Sequence, residues 1–278
     1  MFLSRVSFNE LPVLARQAVE IHTGRITSTH PVDRDTSSPV ACVLETETGR
    51  VFVKGTPAGS CQAAPLWAHI DLARYLPAAI PRQQWYVAAG GWVLAGYEAV
   101  TGDPADYTST DDLLLTLDAL QNLQAATAPR RIELSTAQER WGRYAPPGQA
   151  RRFAGTTLLY AHWTASSVLL DAGRAHLVDW PWPVRGAAWI DPFVLALRMV
   201  QAGHQPSTAV AWVQRVPSWR RAEPDALLAF AAAMTRQWQA KAKTDPSGIA
   251  AAVAGHAADL EAFLSRPGGY LASHRSVA

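Results

Sequence analysis

A handful of positions in this 278-residue chain carry side chains that handle protons, metals or phosphate. Lys54 closes the strand-like run Val51-Phe52-Val53-Lys54, where a compact ammonium could approach a phosphate as a point charge. His162 lies in a loop between the apolar lead-in Leu158-Leu159 and the exit Val168-Leu169-Leu170, and its imidazole is the best proton acceptor that loop contains. Ser167 offers a neutral hydroxyl at the loop's end. Asp179 follows the short run His176-Leu177-Val178, placed to meet a metal or to orient an imidazole. Lysine is scarce: of 25 Lys and Arg, only Lys54, Lys241 and Lys243 are lysines, so a chain of this composition would more readily supply arginine at position 54. Cys42 and Cys61 make neither a disulfide framework nor a metal cluster, and no metal site is expected from them.

The stretch Thr157–Asp171 resembles the catalytic loop of the aminoglycoside phosphotransferases, commonly H-G-D-x-x-x-x-N-[VI]-L, in its lead-in, its length and its Val-Leu-Leu exit. That resemblance sets Tyr160 at the family's His, His162 at its catalytic Asp and Ser167 at its Asn. It makes Lys54 the counterpart of the V-A-I-K lysine and Asp179 that of the metal-binding Asp, the parts that kinase-type phosphoryl transfer uses. Gly96-Tyr97-Glu98-Ala99 is similar to the hinge where a kinase backbone meets adenine, and equally to an ordinary connector. Trp182–Pro192 is similar to actinobacterial members of the family, in which the Asp of I-D-P braces the catalytic loop; Asp191 takes that role here. The likeness spans residues 24–215. It implies an α+β, bilobal kinase-like fold, with a small β-rich N-lobe over residues 1–97 and a larger, mostly helical C-lobe over 98–278.

The departures from the pattern bear on function. An imidazole at 162 can accept a proton but supplies no carboxylate charge beside a metal, and Mg²⁺ prefers hard oxygen ligands that Ser167 provides less well than an amide. Pro31–Ser38, where a phosphate-covering turn belongs, holds no glycine for close backbone approach. The helix after Lys54 has no Glu to pair with it; His69 and Asp71 are the candidates. Trp163, Trp180 and Trp182 crowd the same region with Trp189, either as packing or as flat walls for an aromatic ligand. No cofactor is expected, and these breaks argue against binding of ATP with Mg²⁺. Three classes stay open: a pseudokinase that binds a small molecule, a peptide or a partner biosynthetic enzyme in a natural-product-type pathway; an enzyme of other chemistry with His162 as general base and Asp179 or Tyr160 assisting; and an atypical ATP-dependent phosphotransferase.

The elements that must hold these residues follow from periodicity. Leu11, Leu14, Ala15, Ala18 and Val19 mark a first helix, Val40–Leu44 and Val51–Lys54 a hairpin, Pro65–Leu76 a helix, and Gly90-Gly91 the turn of a second hairpin. Leu113, Leu114, Leu117, Leu120 and Leu123 line one helical face, and the chain beyond Asp191 reads as helices. A formal charge of +2 gives no electrostatic case for nucleic acid or an anionic membrane, and no apolar run reaches bilayer length. The composition and the absence of a leader pattern in the opening residues fit a cytoplasmic protein.

Overall fold

The computed structural model describes residues 4–32, 38–180 and 182–266. In chain order the elements are α1 (Val13–Thr23), β1 (Ile26–Pro31), β2 (Val40–Thr46), β3 (Gly49–Pro57), α2 (Ala63–Leu72), β4 (Gln83–Ala89), β5 (Trp92–Glu98), β6 (Asp103–Pro104) and α3 (Thr110–Gln124). There follow β7 (Ser135–Thr136), α4 (Ala137–Trp141), β8 (Thr157–Leu159), β9 (Val168–Asp171), β10 (Arg174–Leu177), β11 (Val184–Gly186), α5 (Ile190–Gln201), α6 (Pro206–Val213), α7 (Pro217–Arg220), α8 (Pro224–Ala242) and α9 (Ile249–Leu264). The result is mixed α+β, with strands concentrated early and helices late, as the sequence predicts.

Contacts divide the chain into two compact units rather than at one point along it. The first takes residues up to Ala105 together with Pro129–Glu133 and Ser166–Pro183; the second takes Asp106–Ala128, Leu134–Ala165 and the chain from Val184 onward.

The first unit is built on a five-stranded antiparallel sheet in the order β1-β2-β3-β5-β4. Thr46 pairs with Gly49 and Ala89 with Trp92, so both hairpins close through two-residue loops. Gly90 and Gly91 both take positive φ, 58° and 80°, the backbone that a tight hairpin turn requires and that glycine adopts without strain. Alternation along the strands gives the sheet two apolar faces. Leu44, Val51, Val53, Trp85 and Leu94 pack with Leu11, Ala15 and Val19 on one side. Val93, Ala95 and Tyr97 pack with Leu66 and Ile70 of α2 on the other. Leu14, expected on the buried stripe of α1, is 67% exposed: the helix begins only at Val13 behind Pro12, and its inward face runs through Ala15 and Val19.

In the second unit, Ser109 caps α3 by accepting from the Asp112 N–H, and Asp111 and Asp112 sit in its positively polarised first turn. Leu113, Leu117, Leu120 and Leu123 are buried, whereas Leu114 is 45% exposed, one step off the inward stripe. A small sheet, β7-β11-β8, leads into the loop that carries His162. That loop is held by one buried carboxylate. Asp191, in the first turn of α5, is fully buried and accepts from the Tyr160 N–H at 3.0 Å, the Ala161 N–H at 2.8 Å and the Trp163 indole Nε1–H at 3.0 Å. Ala161 is thereby kept at φ 55°, a left-handed conformation that an L-residue holds only when its surroundings enforce it. Asp191 is the loop brace that the Ile-Asp-Pro motif implies.

Burial pushes the Asp191 carboxyl up to about 6, while the three N–H donors and Arg140 pull it down. Replacing Asp191 with alanine leaves three buried donors unpaired, and should lower stability by about 3 kcal/mol, or about 6–10 °C in melting temperature. Because the folded carboxyl holds its proton to higher pH than the unfolded one, its stabilising share is complete below about pH 4 and is lost as pH rises through about 6. The stability gap between wild type and Asp191→Asn should therefore narrow, by up to about 3 kcal/mol, between those values when followed by denaturant titration. A gap that widens with pH would show instead that the N–H donors outweigh burial.

Candidate functional site

Lys54 lies on the central strand β3, opposite Ala41 of β2 and Ala95 of β5, small neighbours that leave room for its stem. Its register partner Ala95 belongs to the α2 face of the sheet, so the ammonium is turned toward α2 rather than toward α1. There it is 4% exposed, with Nζ 3.9 Å from the Asp179 Oδ1 and 5.5 Å from the centre of the Tyr97 ring. Burial lowers the lysine's pKa, and the Asp179 charge works against that shift. Asp179 itself adopts φ 53°, a second strained backbone position beside a candidate site residue.

His69 completes this cluster. It comes from α2, is 3% exposed, and stacks on Tyr97 with ring centres 5.0 Å apart and planes at 16°. Its Nδ1 is 3.3 Å from the Tyr97 hydroxyl oxygen, and Trp180 stacks on it at 6.2 Å. Burial, and after it the Lys54 charge, holds His69 well below the usual imidazole range, so the ring is neutral at physiological pH. Of the two α2 residues that the sequence offers as partners of Lys54, His69 faces the cluster and Asp71 is exposed. Tyr97 is 3% exposed, its phenol kept protonated by burial and by the nearby Asp179 charge. Trp180 is 1% exposed and donates from Nε1 to the Leu177 carbonyl. Ser167 is 2% exposed, and its carbonyl accepts from the Val178 N–H.

A cavity of about 610 Å³ opens in the same unit. Val32, Val43, Phe52, Leu169 and Val178 give it apolar walls, the segment Glu98–Thr101 forms one edge, and Arg50, Ser166, Ser167 and Asp179 supply polar atoms. That edge is pinned next to Gly102, where an added Cβ would lie 2.2 Å from the Leu170 carbonyl oxygen. The hinge-like segment noted in the sequence thus borders a cavity. The apolar walls were missed, although the cross-strand pair Val43 and Phe52 could have been found from the β2–β3 register.

The other predicted residues belong to the second unit. Tyr160 and Trp163 are 1% and 0% exposed and meet edge to face at 5.2 Å. The Trp163 carbonyl accepts from the Tyr107 hydroxyl. His162 is half-buried and stands edge-on to Tyr160, 6.2 Å between ring centres. Trp182, assigned to the first unit, is 51% exposed. The structure therefore gathers Lys54, Tyr97, Asp179 and Trp180 around His69 in one unit, and Tyr160, His162 and Trp163 around Asp191 in the other. Asp33–Ser37, most of the glycine-free turn, lie outside the described residues. Among the described residues no cluster of three or more His, Cys, Asp or Glu could hold a metal ion, and no helix is long and apolar enough to cross a membrane.

No protein-family model matches the chain, and no curated protein sequence does. Solved structures do. An aminoglycoside phosphotransferase from Alicyclobacillus acidocaldarius is similar at a TM-score of 0.64 and 16% identity, over 95% of this chain and 96% of that one. The aminoglycoside phosphotransferase APH(4)-Ia is similar at 0.61 and 12% identity, over 90% and 98%. The choline kinase LicA from Streptococcus pneumoniae is similar at 0.58 and 11% identity, over 88% and 98%. At such identities the likeness speaks for architecture, and the chain has the kinase-like fold shared by aminoglycoside phosphotransferases and choline kinase.

Proposed function

We propose that this protein is a kinase-like binder of a small, largely apolar molecule, seated in the cavity edged by Glu98–Thr101, and that it does not transfer phosphate. One observation carries the reading: Lys54, which is buried, and Asp179, which is largely so, the two residues that match the family's phosphate and metal machinery, are set against each other beside a neutral histidine. A lysine that must neutralise Asp179 is withdrawn from a phosphate, and an aspartate so neutralised is a poorer metal ligand. His162 and Ser167 stand where a carboxylate and an amide would serve the chemistry, which supports the same reading. A pseudokinase role in a natural-product-type pathway, with a peptide or a partner enzyme as alternative occupant, is consistent with it. No cofactor is required.

A second reading rests on His162. It is half-buried, next to the strained Ala161, and strain of this kind collects at functional positions. As a general base it would give a rate that rises through the imidazole titration and levels off above it. His162→Asn should then remove at least about 99% of that activity while the melting curve stays put. Turnover at the wild-type rate would make His162 a packing residue.

Calorimetry with ATP decides the first reading. Binding should be weaker than about 100 μM, and unchanged by adding Mg²⁺ or a chelator. Micromolar affinity that vanishes with chelator, or release of γ-phosphate, would sink it. The ion pair gives a second check. Lys54→Met removes the cation set against Asp179 and should cost about 3 kcal/mol, whereas the double change Lys54→Met with Asp179→Leu should recover most of that, because a buried pair replaced by apolar groups is close to neutral. A catalytic lysine would behave otherwise: Lys54→Met would abolish activity and leave stability nearly intact.

A further inference from the structure

In the second unit, three helices bring basic side chains close to one another. Arg198 and Gln201 sit one turn apart on α5, Thr235, Trp238 and Lys241 form a stripe on α8, and Arg140 lies on α4. The Arg198 guanidinium carbon is 6.0 Å from the Trp238 ring centre and the Lys241 Nζ is 4.1 Å from it, so both cations share one indole. Arg198 donates from Nη1 to the Gln201 Oε1 at 2.8 Å, which fixes the orientation of the amide. Four buried polar atoms then have no hydrogen-bond partner among the described residues: Arg198 Nε, Gln201 Nε2, Trp238 Nε1 and Thr235 Oγ1. Three of these can only donate, and the fourth is a hydroxyl that donates readily. Among the described residues neither Arg198 nor Lys241 has a carboxylate within ion-pair distance.

The geometry points to an oxyanion site here: a small molecule carrying a carboxylate or phosphate, bound between Arg198 and Lys241 with the Trp238, Gln201 and Thr235 donors on its oxygens. Buried donors left over in a native structure ask for acceptors, and cations held close to one another ask for negative charge. Asp191 does not supply it. Its oxygens are taken by three N–H donors, and the cation whose pKa its charge raises is Arg140. Burial, then the charges of Arg140 and Arg198, press the Lys241 ammonium below its usual range, the direction expected of like charges held together. Lys241 is exposed and Trp238 and Arg198 are half-buried, whereas the four donor atoms are closed to solvent, so an anion enters from the Lys241 side and displaces the side chains that cover them. Arg198 lies two turns beyond Asp191 on α5, on the same helical face, so the site shares its scaffold with the brace of the His162 loop. All of its residues belong to the second unit, and the inference does not depend on whether ATP binds.

The test follows the Trp238 indole N–H in ¹⁵N–¹H spectra, assigned with Trp238→Phe, during titration with inorganic phosphate and, separately, with malonate. A saturable shift with one or both is expected, at a dissociation constant of about 1 mM or tighter. Phosphate alone would identify a phosphorylated ligand, malonate alone a carboxylate. Arg198→Met and Lys241→Met should each weaken binding by about tenfold, because a charge-assisted contact is lost. Melting curves of the variants show that they are folded. No saturable shift with either anion up to about 50 mM overturns the proposal. So does an unchanged dissociation constant in both variants, which would make the cations a packing stack on Trp238.

Discussion

An ammonium on the inward side of a central β-strand cannot stay unanswered, because burying a lone charge costs several kcal/mol that only a partner can offset. Lys54 is in that position, on the α2 face of the sheet with alanines to either side. In this chain the answer comes from Asp179, from the Tyr97 ring and from a histidine too deeply buried to carry charge. The neutrality of His69 matters as much as the presence of Asp179. An anion from α2 would leave Asp179 with less to do, and a protonated imidazole would repel the lysine. With a neutral ring at 69, Asp179 is the acid that the structure sets against Lys54, and the stack of Tyr97, His69 and Trp180 closes over the pair.

The second unit handles its buried carboxylate in another way. Asp191 is matched chiefly by oriented N–H groups, two from the backbone and one from an indole, rather than by a close cation. The consequence is geometric. Three donors on two oxygens fix the positions of Tyr160, Ala161 and Trp163 at once, and the loop can carry a positive φ at Ala161 because the carboxylate holds its N–H. His162 inherits a rigid place from neighbours that have no freedom of their own. Such pre-positioning suits chemistry and suits recognition equally, which is why the side chains at 162 and 167, and not the brace, decide between them.

Much of this was legible in the residues. The two hairpins and the helical character of the chain beyond Asp191 follow from turn chemistry and period alone. The bracing role of Asp191 came instead from the resemblance of Trp182–Pro192 to the family's Ile-Asp-Pro segment. What periodicity misjudged were residues one step off a stripe: Leu14 and Leu114 read as core and face solvent, because apolarity at helical spacing does not say where the stripe ends. Trp163 and Trp180 read as packing or as faces for a ligand, and only three-dimensional neighbours show both indoles occupied, by a carboxylate and a carbonyl. The Arg198, Trp238 and Lys241 group had no motif. Its members come from two helices distant in sequence, and each alone looks like an ordinary solvated cation or aromatic.

Charge placement ties these particulars together. A formal charge of +2 over the chain suggests near balance, yet balance is not local. The first unit sets Lys54 against Asp179 and has no buried cation left over among the described residues, so its cavity presents mainly apolar walls. The second unit commits its buried acid to N–H donors and so leaves Arg198 and Lys241 without one. A group that spends a carboxylate on backbone amides gains a fixed loop and gives up a counter-ion for its cations. In the first unit Lys54 and Asp179 face each other at 3.9 Å beside a cavity that Asp179 also lines, and in the second Asp191 is taken up by N–H donors while Arg198 and Lys241 have no carboxylate within ion-pair distance among the described residues.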